Sequence, residues 1–189
     1  MANEIEEILR ILIENQEERF SIRKLSKLRK INYKSAYIAI MKLEQQGIVK
    51  LEKFGNTINC TFNQTFNPMV FKVEYERRKE LLKDKNFKVI YSRLSALKFP
   101  FIALLFGSFV KKKNHKHSDI DLLTINEKQK ELEQEISLTP LKIHLTNISN
   151  KEFLNMTKSK EFSVVSEAIK KNIILIGIED YYRLLENAG

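Results

Sequence analysis

The sequence predicts an α+β protein in which a helical module closed by a hairpin precedes a small domain built on a mixed sheet. Apolar residues recur at a helical period between residues 3 and 43, which indicates three helices. Two short alternating runs at 48–52 and 57–62 favour a hairpin. A continuous apolar run at 101–106 is typical of a strand buried on both faces.

The composition excludes several classes of protein. Of the 189 residues, 43% are hydrophobic and 30% are charged, which is ordinary for a globular protein and too apolar for a disordered chain. No window approaches the run of about 18 apolar residues that a membrane helix needs, and the N-terminus lacks the layout of a signal peptide. A single cysteine, Cys60, excludes an internal disulfide and a cysteine-based zinc site. We therefore expect a reduced, cytoplasmic protein with no membrane partner.

The first module is predicted to span residues 1–64. Its first helix covers 3–14 and has apolar side chains on one face and glutamates on the other. Ser21 is a residue type that caps helices and precedes the second helix, while Gly47 stands where the third helix should end. Gly55 lies in the turn between the two strands.

Residues 21–49 resemble the winged helix-turn-helix domains of transcriptional regulators. The matching features are the leucine-rich second helix, the polar and aromatic start of the third helix, and the closing Leu43-x-x-x-Gly47-Ile48-Val49. The resemblance implies that the third helix enters the major groove of DNA and that the hairpin, or wing, touches the backbone.

The distribution of charge agrees with a DNA partner. The formal net charge is +9, and eight basic residues but no acid lie between Arg19 and Leu43. The alternative is a winged-helix fold that serves dimerisation or another protein contact, with a basic stripe that is merely solvated. A homodimer is compatible with either interpretation. The candidate DNA-binding residues are Arg23, Lys24, Arg29, Tyr33, Lys34, Ser35, Tyr37 and Lys53, with Lys50 as a further candidate in the wing.

The rest of the chain divides into a helical linker at 65–97 and a second domain at 98–189. Helices are expected near 69–84 and 86–97. In the second domain, strands are expected at 101–106, 119–125, 141–148 and 173–176. Helices are expected near 127–135, 150–158 and 161–171 and at the C-terminus.

The most informative motif of the second domain is Gly107-Ser108, ten residues, and then Asp119-Ile120-Asp121. On a strand, the two aspartates would project from one face while Ile120 points into the core. Two carboxylates aimed together repel each other unless a cation lies between them, which suits Mg²⁺ bound to triphosphate oxygens.

This motif resembles the signature of the minimal nucleotidyltransferases of the polymerase-beta superfamily, and the resemblance extends over roughly residues 98–186. It implies that Gly107 and Ser108 hold the phosphates of a nucleoside triphosphate, with Lys111 or Lys112 neutralising them. It also implies that Asp119 and Asp121 bind Mg²⁺ and are catalytic, and that AMP is transferred from ATP to a hydroxyl of a protein or nucleic acid. Similar proteins include antitoxins that adenylylate a partner toxin, often of the HEPN type.

The sequence departs from this pattern in the strand that should supply a third carboxylate. Strand alternation places His144 at the position where the acid is expected, between Ile143 and Leu145. Imidazole can act as a base near neutral pH, but it is a poor ligand for Mg²⁺. Two hypotheses therefore stay open: an enzyme with Asp119, Asp121 and His144 as catalytic residues, and a catalytically inactive regulator or antitoxin that senses a nucleotide or binds a partner.

Overall fold

A computed structural model describes residues 2–110, 119–159 and 161–188. It confirms the α+β class, because helices alternate with two separate sheets. The chain divides into two compact units, residues 1–73 and residues 74–189. Within the described residues, the helices are too short or too polar to cross a membrane.

The first unit contains three helices and a three-stranded antiparallel sheet of order β1-β3-β2. The pairing of β2 with β3 forms the expected hairpin, whereas the short β1 was not predicted from the sequence. The elements are α1 (Ala2–Glu14), β1 (Phe20–Ser21), α2 (Ile22–Arg29), α3 (Tyr33–Gln45), β2 (Val49–Phe54) and β3 (Thr57–Phe62).

Local capping defines where the helices of this unit begin. The Ser21 hydroxyl accepts a hydrogen bond from the Lys24 backbone N–H at 3.1 Å, and α2 starts directly after it. The Asn32 side chain accepts from the Ser35 backbone N–H at 2.8 Å at the start of α3. Each cap is a side chain that bonds the backbone N–H three residues later. The first residues of α2 and α3 therefore follow from the local sequence.

The core of the first unit is apolar. Ile8 and Leu12 of α1 are buried with Leu25 of α2 and Ile40 of α3. Cys60 of β3 is also buried, and burial raises the pKa of its thiol from 9.0 to about 12. The thiol therefore behaves as a small apolar side chain rather than as a nucleophile.

The second unit contains a four-stranded mixed sheet of order β6-β5-β4-β7. Strands β5 and β6 are parallel, and the other neighbouring pairs are antiparallel. Helix α4 (Pro68–Leu81) enters this unit from the first. It is followed by α5 (Lys85–Ala96), β4 (Ile102–Phe106), β5 (Ile120–Ile125), α6 (Gln129–Ser137), β6 (Ile143–Ile148), α7 (Asn150–Ser159), α8 (Val164–Lys170), β7 (Ile173–Ile176) and α9 (Ile178–Glu186).

Helix α5, which lies in the segment predicted as a helical linker, contributes to the core of the second unit. Phe87, Ile90 and Leu94 from one face of α5 cluster with buried side chains such as Leu105 of β4 and Leu122 of β5. Every residue of β4 is buried, as the continuous apolar run predicts. Helix α5 thus packs against the sheet. Polar residues lie at the end of β4 and near the starts of β5 and β6.

A buried polar network ties α4 to α9 in the second unit. The Arg77 guanidinium lies 2.6 Å from a Glu74 carboxylate oxygen, and both side chains are almost fully buried. Arg77 also donates to the Asn172 carbonyl at 2.6 Å, and the Tyr182 hydroxyl donates to Glu74 at 2.7 Å. Burial and the nearby Glu74 carboxylate raise the pKa of Tyr182 well above 10, so its hydroxyl stays a donor.

Candidate functional site

The register between β4 and β5 brings the Gly-Ser turn beside the second aspartate of the motif. Phe106, the last residue of β4, is the antiparallel partner of Asp121. Gly107 follows with a φ of +75°, and a Cβ atom on it would lie 2.0 Å from Oδ2 of Asp121. Glycine is therefore required here both for the backbone conformation and for the room that the carboxylate occupies.

The two aspartates lie at the start of β5. Asp119 is exposed immediately before the strand, and the Asp121 side chain is 30% exposed within it. The intervening Ile120 and the following Leu122 are buried. This alternation leaves both carboxylates accessible to solvent while the apolar residues hold the strand in the core.

His144 lies next to Asp121 across the parallel pair β5 and β6. The two residues are register partners, and Nδ1 of His144 lies 3.5 Å from Oδ1 of Asp121. The imidazole is 67% exposed, while Ile143 and Leu145 on either side pack against the core. An imidazole rather than a third carboxylate therefore stands beside Asp121 on β6.

The residues after Gly107 anchor the start of the loop. Ser108 is half-buried, the Phe109 ring meets the Phe87 ring edge-on at a centroid distance of 5.6 Å, and Val110 is buried. Lys111 and Lys112, the predicted phosphate-neutralising residues, lie outside the described residues.

The donor atoms at this site suit a hydrated magnesium ion. Mg²⁺ is commonly held by one or two carboxylates together with water and substrate phosphates, and Asp119 and Asp121 offer two accessible carboxylates. Across residues 2–110, 119–159 and 161–188, no three His, Cys, Asp or Glu side chains gather closely enough to hold a metal ion. An ion bound at the aspartates would thus take further ligands from water or from a bound substrate.

A separate cavity of about 430 Å³ lies at the opposite end of the same sheet. Ile102 of β4 and its partner Ile125 of β5 line it, together with Phe101 and Leu184. Phe106 and Asp121 form the other end of this strand pair, so the cavity is distinct from the site around Gly107.

The first unit presents a basic and aromatic surface on α3. Tyr33, Lys34 and Tyr37 are exposed, and the two tyrosine rings lie 6.3 Å apart. Arg23 on α2 and Lys53 on β2 are also exposed. We call Tyr33, Lys34 and Tyr37 the α3 surface.

The other candidate DNA-binding residues make contacts inside the first unit. The Arg29 guanidinium pairs with Glu7 of α1 and is half-buried. Lys24 pairs with Glu18 at 3.1 Å, and the Ser35 backbone N–H is taken by the cap of α3. Of these, Arg29 is the most restrained by the fold.

Comparison with protein families gives a match over residues 88–181, to the family described as Polymerase beta, Nucleotidyltransferase. The matched segment begins in α5 and ends in α9, and it includes Gly107, Asp119, Asp121 and His144. Residues 88–181 are therefore similar to the nucleotidyltransferases of the polymerase beta family. Comparisons with curated proteins and with solved structures found no match.

Proposed function

We propose that the second unit transfers a nucleotide, AMP from ATP, to a hydroxyl group of a protein or nucleic acid. The observation that carries this proposal is the placement of the Gly107 backbone against the Asp121 carboxylate, within a segment that matches the nucleotidyltransferase family. A turn without a Cβ atom lets phosphates approach the backbone closely. Transfer would proceed by in-line attack of the acceptor hydroxyl on the α-phosphate, with release of pyrophosphate.

Each residue of the site has a role that its position favours. Ser108 follows the glycine turn and can offer its backbone N–H and its hydroxyl to the terminal phosphates. Asp119 and Asp121 would hold Mg²⁺, which would neutralise phosphate charge and polarise the phosphoryl group when bound. His144, beside Asp121, can accept the proton of the attacking hydroxyl.

The test is incorporation of label from α-labelled ATP in the presence of Mg²⁺, with duplex DNA and a HEPN-type toxin supplied as separate acceptors. The wild-type protein is expected to label one acceptor, and Asp121→Asn to lose the activity. Asp180→Asn is the matched control, because Asp180 is an exposed aspartate on α9 of the same unit. Equal labelling by wild type and Asp121→Asn would refute the proposal.

A second candidate function is a non-catalytic regulator or antitoxin that senses the nucleotide or binds a partner. The specific observation in its favour is His144, which stands where a third carboxylate is expected and is a poor ligand for Mg²⁺. Here the wild type would bind ATP without transferring AMP, and His144→Asp would raise metal affinity and create transfer. Robust wild-type transfer that survives His144→Ala would exclude this candidate.

We also propose that the first unit is a winged helix-turn-helix that binds duplex DNA. The order of three helices and a hairpin, with α3 following α2 after a short turn, supports this proposal. The α3 surface carries a lysine between two exposed tyrosines, which suits contact with phosphates and base edges. A homodimer would place two such helices on one operator, and a cytoplasmic location fits both functions.

The DNA test is a titration of a labelled duplex by the full-length protein between 50 and 200 mM salt. Lys34→Ala and Arg23→Ala are each expected to reduce the log–log salt slope by about one unit, as loss of one phosphate contact does. Arg29→Ala is expected to change the slope less, because its guanidinium pairs with Glu7. Lys151→Ala, at an exposed position on α7, is the control; salt-independent binding would contradict the proposal.

A further inference from the structure

The tip of the β2–β3 hairpin carries an aromatic side chain that the fold does not bury. Phe54 is 80% exposed, and it is one of the two most exposed large apolar side chains among the described residues. Phe54 pairs with Thr57, so the turn between them is the two residues Gly55 and Asn56. Burial of a phenylalanine side chain is favourable, and the fold of the first unit does not bury the Phe54 ring.

The charges around this ring favour a polyanionic partner. Strand alternation puts Lys50 and Glu52 on the same face of β2 as Phe54. The Glu52 carboxylate pairs with Arg19 at 3.2 Å, which offsets its charge. Lys53 is the immediate neighbour of Phe54 and is exposed, and strand alternation puts it on the opposite face of β2. An exposed aromatic ring at the end of a strand that also carries Lys50 and Lys53 suits a nucleic-acid groove better than a protein–protein interface, where lysines are depleted.

The shape of the hairpin tip suits insertion into a groove. Gly55 has a φ of +58° and no neighbouring atom within 4 Å of the position where a Cβ would stand. With glycine and asparagine forming the turn, the Phe54 ring is the bulkiest group at the tip. Apolar side chains presented in this way unstack base steps from the minor groove and kink the duplex.

We propose that Phe54 inserts between two base pairs of duplex DNA, with Lys50 and Lys53 on the flanking phosphates. This inference rests on the proposed DNA binding of the first unit. Insertion of Phe54 would favour DNA that is easily unstacked, so the preferred sites contain a flexible pyrimidine–purine step such as TA. Discrimination by Phe54 thus adds to any base contacts made by the α3 surface.

The experiment uses the full-length protein and duplexes that carry 2-aminopurine at a single TA step, moved along the site in a series. Binding is followed by fluorescence anisotropy, and unstacking by the rise in 2-aminopurine emission. Wild type is expected to give this rise at one step. Phe54→Ala is expected to lose it and to bind roughly tenfold more weakly, whereas Phe54→Trp should retain it.

Phe162→Ala is the matched control, because Phe162 is 82% exposed in the second unit. It should change neither signal. DNA binding by wild type without unstacking at any step, or equal unstacking by Phe54→Ala, would overturn the inference while the proposed DNA binding stands. Absence of wild-type binding to any duplex would overturn both. Dissociation of a protein dimer by Phe54→Ala, with the emission unchanged, would assign Phe54 to a protein contact instead.

Discussion

The two units of this chain place their polar side chains in different ways. In the described part of the first unit, the ion pairs reach solvent, as Arg10–Glu14 and Lys24–Glu18 illustrate. The second unit buries the pair Glu74–Arg77. Its candidate site also depends on the register of three strands, whereas the α3 surface lies on one helix. We therefore expect the α3 surface to tolerate substitutions more readily than the site assembled across the sheet.

The largest difference is expected when one partner of each kind of ion pair is removed. Arg77→Met should lower the free energy of unfolding of the second unit by about 3–5 kcal/mol, because it leaves the Glu74 carboxylate buried without its cation. Arg10→Met in the first unit should cost about 0.5 kcal/mol, since its pair with Glu14 reaches solvent. Urea denaturation followed by circular dichroism measures both values.

Lys79→Met is the matched control for Arg77→Met, because it removes a cation from the same helix. Lys79 lies on α4 with Arg77, but its pair with Glu76 is exposed. This variant should unfold within about 0.5 kcal/mol of wild type. A similar loss for Arg77→Met and Lys79→Met would mean that burial does not distinguish the two pairs.

A smaller difference is expected between two glycines with left-handed backbone conformations. Gly107 has a φ of +75° and Gly55 a φ of +58°. Alanine at either position should cost about 1–2 kcal/mol for the conformation. At Gly107 the new Cβ would also displace the Asp121 carboxylate. Gly107→Ala should therefore lose ATP affinity by about tenfold or more, and Gly55→Ala should keep it.

Calorimetric titration with ATP and Mg²⁺ measures the affinity of both glycine variants. Unfolding measurements on the same samples separate the backbone cost from the loss of the site. If both variants bound ATP as the wild type does, the close approach of Gly107 to Asp121 would have no role in the nucleotide site.

These contrasts explain how much of the molecule could be predicted from the sequence. Ser21 and Asn32 cap the helices that directly follow them, so α2 and α3 could be predicted from local residue types. The spacing of Gly107 and Asp121 matches a family motif, and this match predicted that the two residues lie in one site. Strand β1 is only two residues long and pairs with the distant β3, for example Phe20 with Cys60. Two residues are too few to show the alternating pattern that predicts a strand.

Other features depend on contacts between distant parts of the chain. In the sequence Arg77 is one of several charged residues on α4. It is buried in the structure because the segment between α8 and β7 and the Tyr182 side chain of α9 pack around the Glu74–Arg77 pair. In the sequence Arg29 belongs to a run of basic residues, but in the structure it forms an ion pair with Glu7 of α1. The exposure of Phe54 follows from the pairing of β2 with β3, which places it beside the turn, and the aromatic residue next to a glycine is the signal for it in the sequence.

A further prediction concerns the Cys60 thiol at alkaline pH. Its folded-state pKa is raised to about 12 by burial, from 9.0. A raised pKa means that the thiol stabilises the folded state below pH 9 and that this contribution is lost as the pH rises from 9 towards 12. Between pH 8 and pH 10, the free energy of unfolding of the first unit should fall by about 1 kcal/mol because of this group.

Cys60→Val removes the titrating thiol from a buried position and should lack this part of the pH dependence. Urea denaturation of wild type and Cys60→Val at the two pH values gives the difference, in which the lysines and tyrosines common to both proteins cancel. Parallel pH dependence in the two proteins would show that Cys60 does not titrate on unfolding.

The strand ends around Gly107 and Asp121 carry the proposed nucleotide site. Calorimetric titration of ATP with Mg²⁺ into wild type, Asp121→Asn and Asp180→Asn tests this claim directly. We expect saturable binding to wild type and Asp180→Asn, and binding about tenfold or more weaker to Asp121→Asn, because one oxygen ligand of the metal would be lost. Equal affinity of wild type and Asp121→Asn would contradict this claim.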